Sequence, residues 1–373
     1  MKFAPLLCAA ALIPLAACGK PADKPEQKTE ATPKKAEWAE DGMTSRDSEA
    51  VKDDVARPEM QLQVVLDRLG FSTGVVDGKM GTSTTNALKG FQEANGLDVS
   101  GEWDEPTKAM LAKWQAIPAT RTVKIPASYA EAPVAALPEK ASEQAKLATM
   151  GYESTLERLA ERFHTTPDVL KSLNPDVFAA PATEDAKDGD AAATPVATGT
   201  TLRVPNVGAD YIVAAEVDNA GWLATLGSLG VGTDQPAADR IEVSKKAGTM
   251  KVFDAGDKLI ALFTVTTGSA HDPLPIGKWK VKGVGRNPDY AFDPALLRGV
   301  AASEGKHRLP PGPNNPVGVV WIDLNKAHYG LHGTPEPQNI GHTESNGCVR
   351  LTNWDAARLA EMVTVGTKVD FVA

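Results

Sequence analysis

Cysteine is scarce in this chain of 373 residues, which contains three, two of them within the first 18 positions, Cys8 and Cys18. If this N-terminal segment is an export signal, Cys348 is the single free thiol of the mature protein. A lone thiol cannot form an intramolecular disulfide, and the spacing of cysteine and histidine does not suggest a zinc site. Nucleophilic catalysis is therefore the sharper hypothesis for Cys348.

The chain also lacks an excess of basic residues and a long apolar run. Lysine and arginine number 39 against 48 acidic residues, so the formal net charge is −9, which argues against a nucleic acid partner. The apolar stretch at the N-terminus runs from Phe3 to Ala17 and is too short to be a stable bilayer span. We interpret residues 1–17 as a signal peptide.

The end of this stretch, Leu15-Ala16-Ala17-Cys18, resembles the bacterial lipobox. The resemblance implies acylation of Cys18 and a durable lipid anchor in a membrane. Gly19 follows where an aspartate would imply retention in the inner membrane, so we expect a periplasmic protein on the outer membrane of a Gram-negative cell. Ordinary signal-peptidase cleavage after small residues is the alternative.

Residues 18–58 are rich in Lys, Glu, Pro, Ala and Asp and contain almost no large apolar residues. Such a composition cannot bury a core, which predicts a disordered tether. As a flexible coil of this length, the tether would reach roughly 35 Å.

Residues 59–115 contain two apolar repeats of helical spacing separated by a glycine-rich turn. The segment resembles the peptidoglycan-binding type 1 domain. The matching residues are Gly70-Phe71, Asp77-Gly78, Gly81, Thr84, Phe91-Gln92 and Gly96-Leu97. We interpret most of them as core and turn residues, and wall binding is what the resemblance implies.

After a predicted linker, residues 116–148, the segment 149–208 has two amphipathic helices and a closing strand near Leu202. It resembles a LysM module, which implies binding of glycans that contain N-acetylglucosamine. An acidic, alanine-rich insert and an obscure first strand depart from that pattern. Residues 209–238 are expected to form a connecting helix.

From residue 239 to 373 the pattern changes to short, partly alternating strands with one late helix over Asn353 to Val363. This predicts a mostly β sandwich or barrel. The expected architecture is therefore multidomain, with a small α-helical domain and a small α+β module before the β-rich domain.

Four motifs of this last segment resemble the L,D-transpeptidase family with the YkuD fold. They are Thr267-Gly268-Ser269, Pro273-Leu274-Pro275-Ile276-Gly277, His332-Gly333-Thr334 and Ser345-Asn346-Gly347-Cys348-Val349-Arg350-Leu351. The resemblance implies attack on the bond between meso-diaminopimelate and D-alanine in a peptidoglycan tetrapeptide stem, followed by acyl transfer to an amine. It implies Cys348 as nucleophile and His332 as general acid and base.

The chemistry can also be argued from the residues. A thiol with an ordinary pKa of about 8.5 is mostly protonated at neutral pH, so Cys348 needs a base or a positive field nearby. His332 is the predicted base, with its second ring nitrogen held by a backbone carbonyl, and Gly333 gives the backbone freedom to orient the ring. No metal and no cofactor is expected.

Other residues of the cysteine segment receive supporting roles. The backbone of Gly347 is expected to contribute to an oxyanion hole. Arg350 either forms a salt bridge that holds the loop, or lowers the thiol pKa and receives a substrate carboxylate. Substrate contacts are predicted for Gly333, Thr334, Ser345 and Asn346.

Asn346 departs from the family, which most often has histidine there, and asparagine neither accepts a proton nor carries charge. His342 is a candidate substitute, against the alternative of a surface histidine.

Several alternatives remain open from the sequence. The acyl acceptor can be another stem, giving a 3-3 crosslink, or water, giving L,D-carboxypeptidation, or a lysine of another protein. A catalytically weak wall-binding lipoprotein and a zinc peptidase are rival functions. The expected partners are peptidoglycan, both its stem peptides and its glycan, and the membrane through Cys18; the oligomeric state is left open.

Overall fold

The computed structural model of the protein describes residues 53, 55–178, 196–208, 212–297, 300–345 and 347–373. The predicted signal peptide, the lipidation site Cys18, most of the predicted tether, and Asn346 lie outside the described residues. None of the helices in these ranges is long and apolar enough to cross a membrane.

The first part of the fold is a helical domain made of α1 (Pro58–Arg68), α2 (Thr82–Ala94) and α3 (Glu105–Leu111). Its core contains Leu62, Leu66, Phe71, Leu88 and Phe91. The buried carboxamide of Gln63 donates to Asp77 Oδ1 and Thr84 Oγ1 and accepts from the Gly78 amide. Asp77, Gly78 and Thr84 therefore have structural partners inside the domain. This agrees with the prediction that most residues of the motif are core and turn residues.

A small βααβ module follows, in which β1 (Thr120–Lys124) pairs antiparallel with β2 (Thr201–Pro205). The two strands enclose α6 (Thr155–Arg162) and α7 (Pro167–Leu173) in sequence. Ser154 and Glu157 form a reciprocal capping box at the start of α6. The strand β1 lies in the segment that the sequence analysis interpreted as a linker. LysM character itself stays a prediction.

Short helices complete these two regions and lead into the last domain. They are α4 (Ala127–Ala130), α5 (Ala141–Gln144), α8 (Pro175–Phe178) and α9 (Ala220–Leu229). The connecting helix predicted between 209 and 238 is α9. Its Trp222, Leu226 and Leu229 belong to the same apolar core as the final sheet.

The β-rich domain is built on an eight-stranded sheet in the order β11-β10-β9-β6-β12-β3-β4-β5. The strands are β3 (Arg240–Ser244), β4 (Thr249–Phe253), β5 (Leu259–Thr264), β6 (Gly277–Arg286), β9 (Val320–Leu324), β10 (Gly330–His332), β11 (Val349–Arg350) and β12 (Lys368–Val372). A separate two-stranded sheet pairs β7 (Tyr290–Phe292) with β8 (His307–Leu309).

The two edges of the large sheet meet. Thr266, two residues beyond the end of β5, exchanges backbone hydrogen bonds with Arg350 of β11, at 2.9 and 3.1 Å. The sheet is thereby curled into a half-barrel, as the prediction of a β sandwich or barrel anticipated.

Helix α10 (Asn353–Met362) packs on this sheet, and Trp354, Ala357 and Leu359 are buried in its core. Thr352 caps the helix by accepting a hydrogen bond from the Asp355 amide.

A buried polar cluster joins the three parts. Asp67 of α1 lies 3.2 Å from His164 Nδ1 and 3.6 Å from Arg358 Nη1 of α10. Burial would raise the pKa of Asp67, but the charges of Arg358 and His164 outweigh it and hold this pKa at about 2. The His164 ring stacks on Trp354 with centroids 5.1 Å apart. Because removing one member would leave a buried charge without compensation, the cluster fixes the three parts to each other.

A second buried contact joins the βααβ module to α10. Glu161 accepts hydrogen bonds from Tyr152 Oη and from Asn353 Nδ2, each at 2.8 Å. Burial raises the pKa of Glu161 to about 8. The carboxyl group is therefore mostly protonated at neutral pH in the folded protein.

This shift predicts a pH-dependent stability. Between the ordinary glutamate pKa and about 8, the folded protein holds a proton at Glu161 that the unfolded chain has lost, so stability falls as pH rises across that window. Glu161→Gln keeps a neutral side chain of similar shape. We expect the urea midpoint to fall less between pH 5 and pH 8 in E161Q than in the wild type.

The matched control is Glu105→Gln, because Glu105 is an exposed glutamate paired with Lys108. E105Q should keep the wild-type slope of midpoint against pH. An unchanged slope in E161Q would contradict the burial of a protonated carboxyl group.

Candidate active site

The topology of two short strands brings Cys348 and His332 to one place. β10 and β11 are parallel, with Leu331 opposite Val349 and His332 opposite Arg350. Extending this register by one residue places Cys348 beside Gly330. Residues two apart along a strand share a face of the sheet, so the thiol and the imidazole lie on the same face, on adjacent strands. Gly330 has no side chain, and the indole of Trp321 fills the space where a Cβ would lie.

His332 is held as a neutral base. Its ring is buried, and Nδ1 lies 2.7 Å from the Gly333 carbonyl oxygen. A carbonyl oxygen only accepts, so Nδ1 carries the hydrogen and Nε2 is left with a free lone pair. Burial lowers the pKa of His332 to about 4, with Arg350 adding to the shift and the hydrogen bond to Gly333 opposing it. Trp321 stacks on the ring with centroids 5.5 Å apart.

The thiol of Cys348 is partly exposed, and its Sγ lies 3.7 Å from the carbonyl oxygen of His328. Burial raises the pKa of this thiol, while a backbone hydrogen bond at Gly330 and the charge of Arg350 oppose the rise. The thiol and the imidazole are therefore both uncharged near neutral pH. Attack by this thiol would therefore need a base to remove its proton, and the neutral ring of His332 is the candidate.

The sequence predicts two alternative roles for Arg350, a salt bridge that holds the loop or an electrostatic effect on the thiol. Within the described residues its guanidinium makes no ion pair with a carboxylate. Its charge lowers the pKa of both Cys348 and His332. These observations favour the electrostatic role, and both roles stay predictions.

The loop before the nucleophile is organised by Ser345. Its buried hydroxyl donates to the Cys348 carbonyl oxygen and accepts from the Gly347 amide at 3.2 Å. The Gly347 amide predicted for the oxyanion hole is thus already engaged in this structure. Gly347 has a φ of +105°, which side chains rarely adopt, and this backbone conformation accounts for the glycine. Ser345 orders the loop, and its role as a substrate contact stays a prediction.

Gly333 and Thr334 also have internal roles. A Cβ on Gly333 would lie 2.4 Å from Asn353 Oδ1, so close packing, and not conformational freedom, accounts for this glycine. Thr334 is buried, and its Oγ1 accepts from the Glu336 amide. Both residues shape the histidine loop, and their role as substrate contacts stays a prediction. His342 is exposed, which agrees with the alternative that it is a surface histidine.

Tyr290, on β7, was not singled out from the sequence. Burial raises the pKa of its phenol, and the charges of Cys348 and Arg350 act on it as well. The phenol therefore lies in the same electrostatic environment as the nucleophile. An isolated tyrosine in a short strand carries no motif, so only the folded chain brings it to the site.

The comparison with known families agrees with this arrangement. Residues 238–371 match the YkuD family, the L,D-transpeptidase catalytic domain. Residues 60–111 match a second family, described as "Putative peptidoglycan binding domain". The first match covers the β-rich domain, called the YkuD-type domain below, and the second match covers the helical domain.

Individual relatives match about a third of this chain. "Putative L,D-transpeptidase YkuD" of Bacillus licheniformis is 31% identical over 130 residues, which are 35% of this chain and 63% of that protein. "Putative L,D-transpeptidase YqjB" of Bacillus subtilis is 29% identical over 36% of this chain and 71% of its own length. The L,D-transpeptidase structure from Mycobacterium smegmatis aligns with a TM-score of 0.30 and 20% identity, over 36% of this chain and 59% of its own.

The electrostatic role of Arg350 can be tested by Arg350→Gln. Its positive charge lowers the pKa of both Cys348 and His332, so R350Q should move both titrations to higher pH. The measurements are the rate of Cys348 alkylation by iodoacetamide against pH, and the histidine titration by NMR. Arg308→Gln is the control, because Arg308 is exposed and paired with Asp289. If neither the Cys348 nor the His332 titration shifts in R350Q, the electrostatic role of Arg350 is contradicted.

Because Gly333 lies in close contact with Asn353, adding one methyl group at this position should strongly reduce activity. Gly333→Ala should displace Asn353 or the Gly333 carbonyl that fixes the His332 tautomer, lowering acylation at least about tenfold. Gly283→Ala is the control, since a Cβ there meets no atom within 4 Å. We expect G283A to acylate like the wild type in single-turnover assays. Equal rates for G333A and G283A would contradict the packing argument.

Proposed function

We propose that this protein is a cell-wall L,D-transpeptidase that forms a thioester on Cys348. The single observation that carries the proposal is the placement of Cys348 and His332 on one face of adjacent parallel strands, with His332 Nε2 free to accept a proton. The match of residues 238–371 to the L,D-transpeptidase catalytic domain supports the same function.

The first half-reaction consumes a tetrapeptide stem. Cys348 Sγ attacks the carbonyl carbon of diaminopimelate in its bond to D-alanine, and the thiol proton passes to His332 Nε2. The tetrahedral intermediate then collapses, the C–N bond breaks, and the amine of D-alanine leaves with the proton from His332. A thioester between Cys348 and the diaminopimelate carbonyl remains.

In the second half-reaction an amine attacks the thioester. The amine gives a proton to His332, the C–S bond breaks, and the proton returns to sulfur. With the side-chain amine of a second diaminopimelate as acceptor, the product is a 3-3 crosslink. Water as acceptor would give L,D-carboxypeptidation, and a protein lysine would give attachment of that protein to the wall.

The positive charge of Arg350 supports this chemistry in two ways. It favours the thiolate that develops on sulfur, and it disfavours a protonated imidazole before substrate arrives. A positive charge beside the nucleophile also suits a substrate that bears free carboxylates, as the diaminopimelate stem does.

The remaining parts of the chain fit an anchored wall enzyme in this proposal. Acylation of Cys18 would hold the protein on the periplasmic side of the outer membrane, with residues 19–58 as tether. The helical domain would bind peptidoglycan, and the βααβ module would bind wall glycan in the manner of LysM modules.

The proposal is tested with the mature protein and a disaccharide tetrapeptide. Mass spectrometry should detect a thioester on Cys348 together with released D-alanine, and Cys348→Ala should form no adduct. His332→Ala should acylate about 10²–10⁴ times more slowly. His342→Ala is the matched control, because the exposed His342 should be dispensable.

Two outcomes would redirect the interpretation. No adduct and no D-alanine from the wild type would favour a wall-binding scaffold without catalysis. Loss of activity in chelator, with C348A still active, would favour a metal peptidase.

A further inference from the structure

We propose that a groove between the helical domain, the βααβ module and the YkuD-type domain binds a glycan strand of the cell wall. This inference rests on the proposed function and deepens it by naming a site for the polymer. The groove has a volume of about 870 Å³. Pockets of roughly 300–1,000 Å³ hold small organic ligands, so the space suffices for part of a saccharide chain.

Residues from all three parts of the chain line the groove. The helical domain contributes Thr73 and Lys79, the helix α7 contributes Ser172, and the loop after His332 contributes Gln338 and His342. The buried Asp67 cluster fixes these parts to each other. The groove is therefore a preformed feature of the folded protein.

The chemistry of the lining favours a neutral, hydroxyl-rich polymer. Hydroxyl and carboxamide groups of Thr73, Ser172 and Gln338 alternate with the apolar surfaces of Val75 and Ile340. Pyranose rings present hydroxyl groups at their edges and apolar C–H groups on their faces, which such a surface can match. The two carboxylates of Asp77 and Asp168 outnumber the one ammonium group of Lys79, so the groove is not built for a polyanion.

Thr73, which lines the groove, provides an independent sign that the groove takes a polar ligand. The residue is 2% exposed, yet within the described residues its Oγ1 has no hydrogen-bond partner. A buried hydroxyl without a partner is costly, and buried polar groups are rarely left in this state. A sugar hydroxyl or N-acetyl oxygen in the groove would supply the partner.

The groove also connects to the nucleophile strand. Within the loop that lines it, the Gly341 amide donates to Thr266 Oγ1 at 2.9 Å. Thr266 in turn exchanges backbone hydrogen bonds with Arg350, two residues after Cys348. A glycan held in the groove would therefore be fixed to the same structural element that carries the catalytic thiol.

The test uses the full mature protein and oligomers of N-acetylglucosamine, which present the hydroxyl and N-acetyl groups of the wall glycan and carry no charge. Ser172→Trp and Gln338→Trp place a large ring in the groove from two different parts of the chain, at exposed positions. We expect each to weaken oligomer binding, measured by calorimetry, at least about tenfold. Lys171→Trp and Glu336→Trp are the matched controls, because these exposed neighbours do not line the groove.

Thr73→Val removes the unpartnered hydroxyl at nearly constant volume and should weaken binding three- to tenfold. Wild-type affinity in both S172W and Q338W would overturn the groove as the binding site. Wild-type affinity in T73V would overturn the hydrogen bond assigned to Thr73. Equal losses in K171W and E336W would also overturn the proposal, because the effect would not be specific to the groove.

The proposed function is judged by a separate readout. Acylation of the wild type and of C348A by a sugar-free tetrapeptide reports on the catalytic thiol alone. Acylation without groove-dependent glycan binding would support the proposed function and contradict this inference. Groove-dependent glycan binding without acylation would support the glycan site and contradict the proposed enzymatic function.

Discussion

The parallel pairing of two very short strands is the constraint on which the site depends. β10 ends at His332, and β11 begins one residue after Cys348. Parallel neighbours cannot be joined by a tight hairpin, so the chain between them makes a long crossover. That crossover contains the Ser345 hydrogen bonds that fix the Cys348 backbone. The backbone bonds between Thr266 and Arg350 then hold β11 from its other side.

Burial and one positive charge together set the chemical state of the site. Desolvation favours the neutral forms of both Cys348 and His332, raising the pKa of the thiol and lowering that of the imidazole. The charge of Arg350 opposes the rise of the thiol pKa and adds to the fall of the imidazole pKa. Both groups are therefore neutral, and a protonated thiol is a weaker nucleophile than a thiolate. In the proposed function, general-base catalysis would supply the nucleophile during attack.

Two sets of buried polar contacts join the domains to each other. Asp67, His164 and Arg358 come from three different parts of the chain and compensate one another where no water is available. Glu161 and Asn353 form a second link, and Asn353 also packs against the glycine that follows His332. These two links hold the helical domain, the βααβ module and the β-rich domain together, with a groove between them.

The sequence by itself predicted the helical domain and the half-buried strands of the last third, which the structure confirms. It also singled out Cys348 and His332 as the candidate reacting pair, because periodicity, turn residues and motifs are local. It did not reveal β1 in the predicted linker, since a five-residue strand with charged side chains has little signal until β2 pairs with it. The tertiary structure alone decided that Arg350 makes no ion pair with a described carboxylate, that Ser345 occupies the Gly347 amide, and that Tyr290 lies near the thiol. Each of these depends on contacts between residues distant in sequence, where burial and direction, and not residue type, decide the outcome.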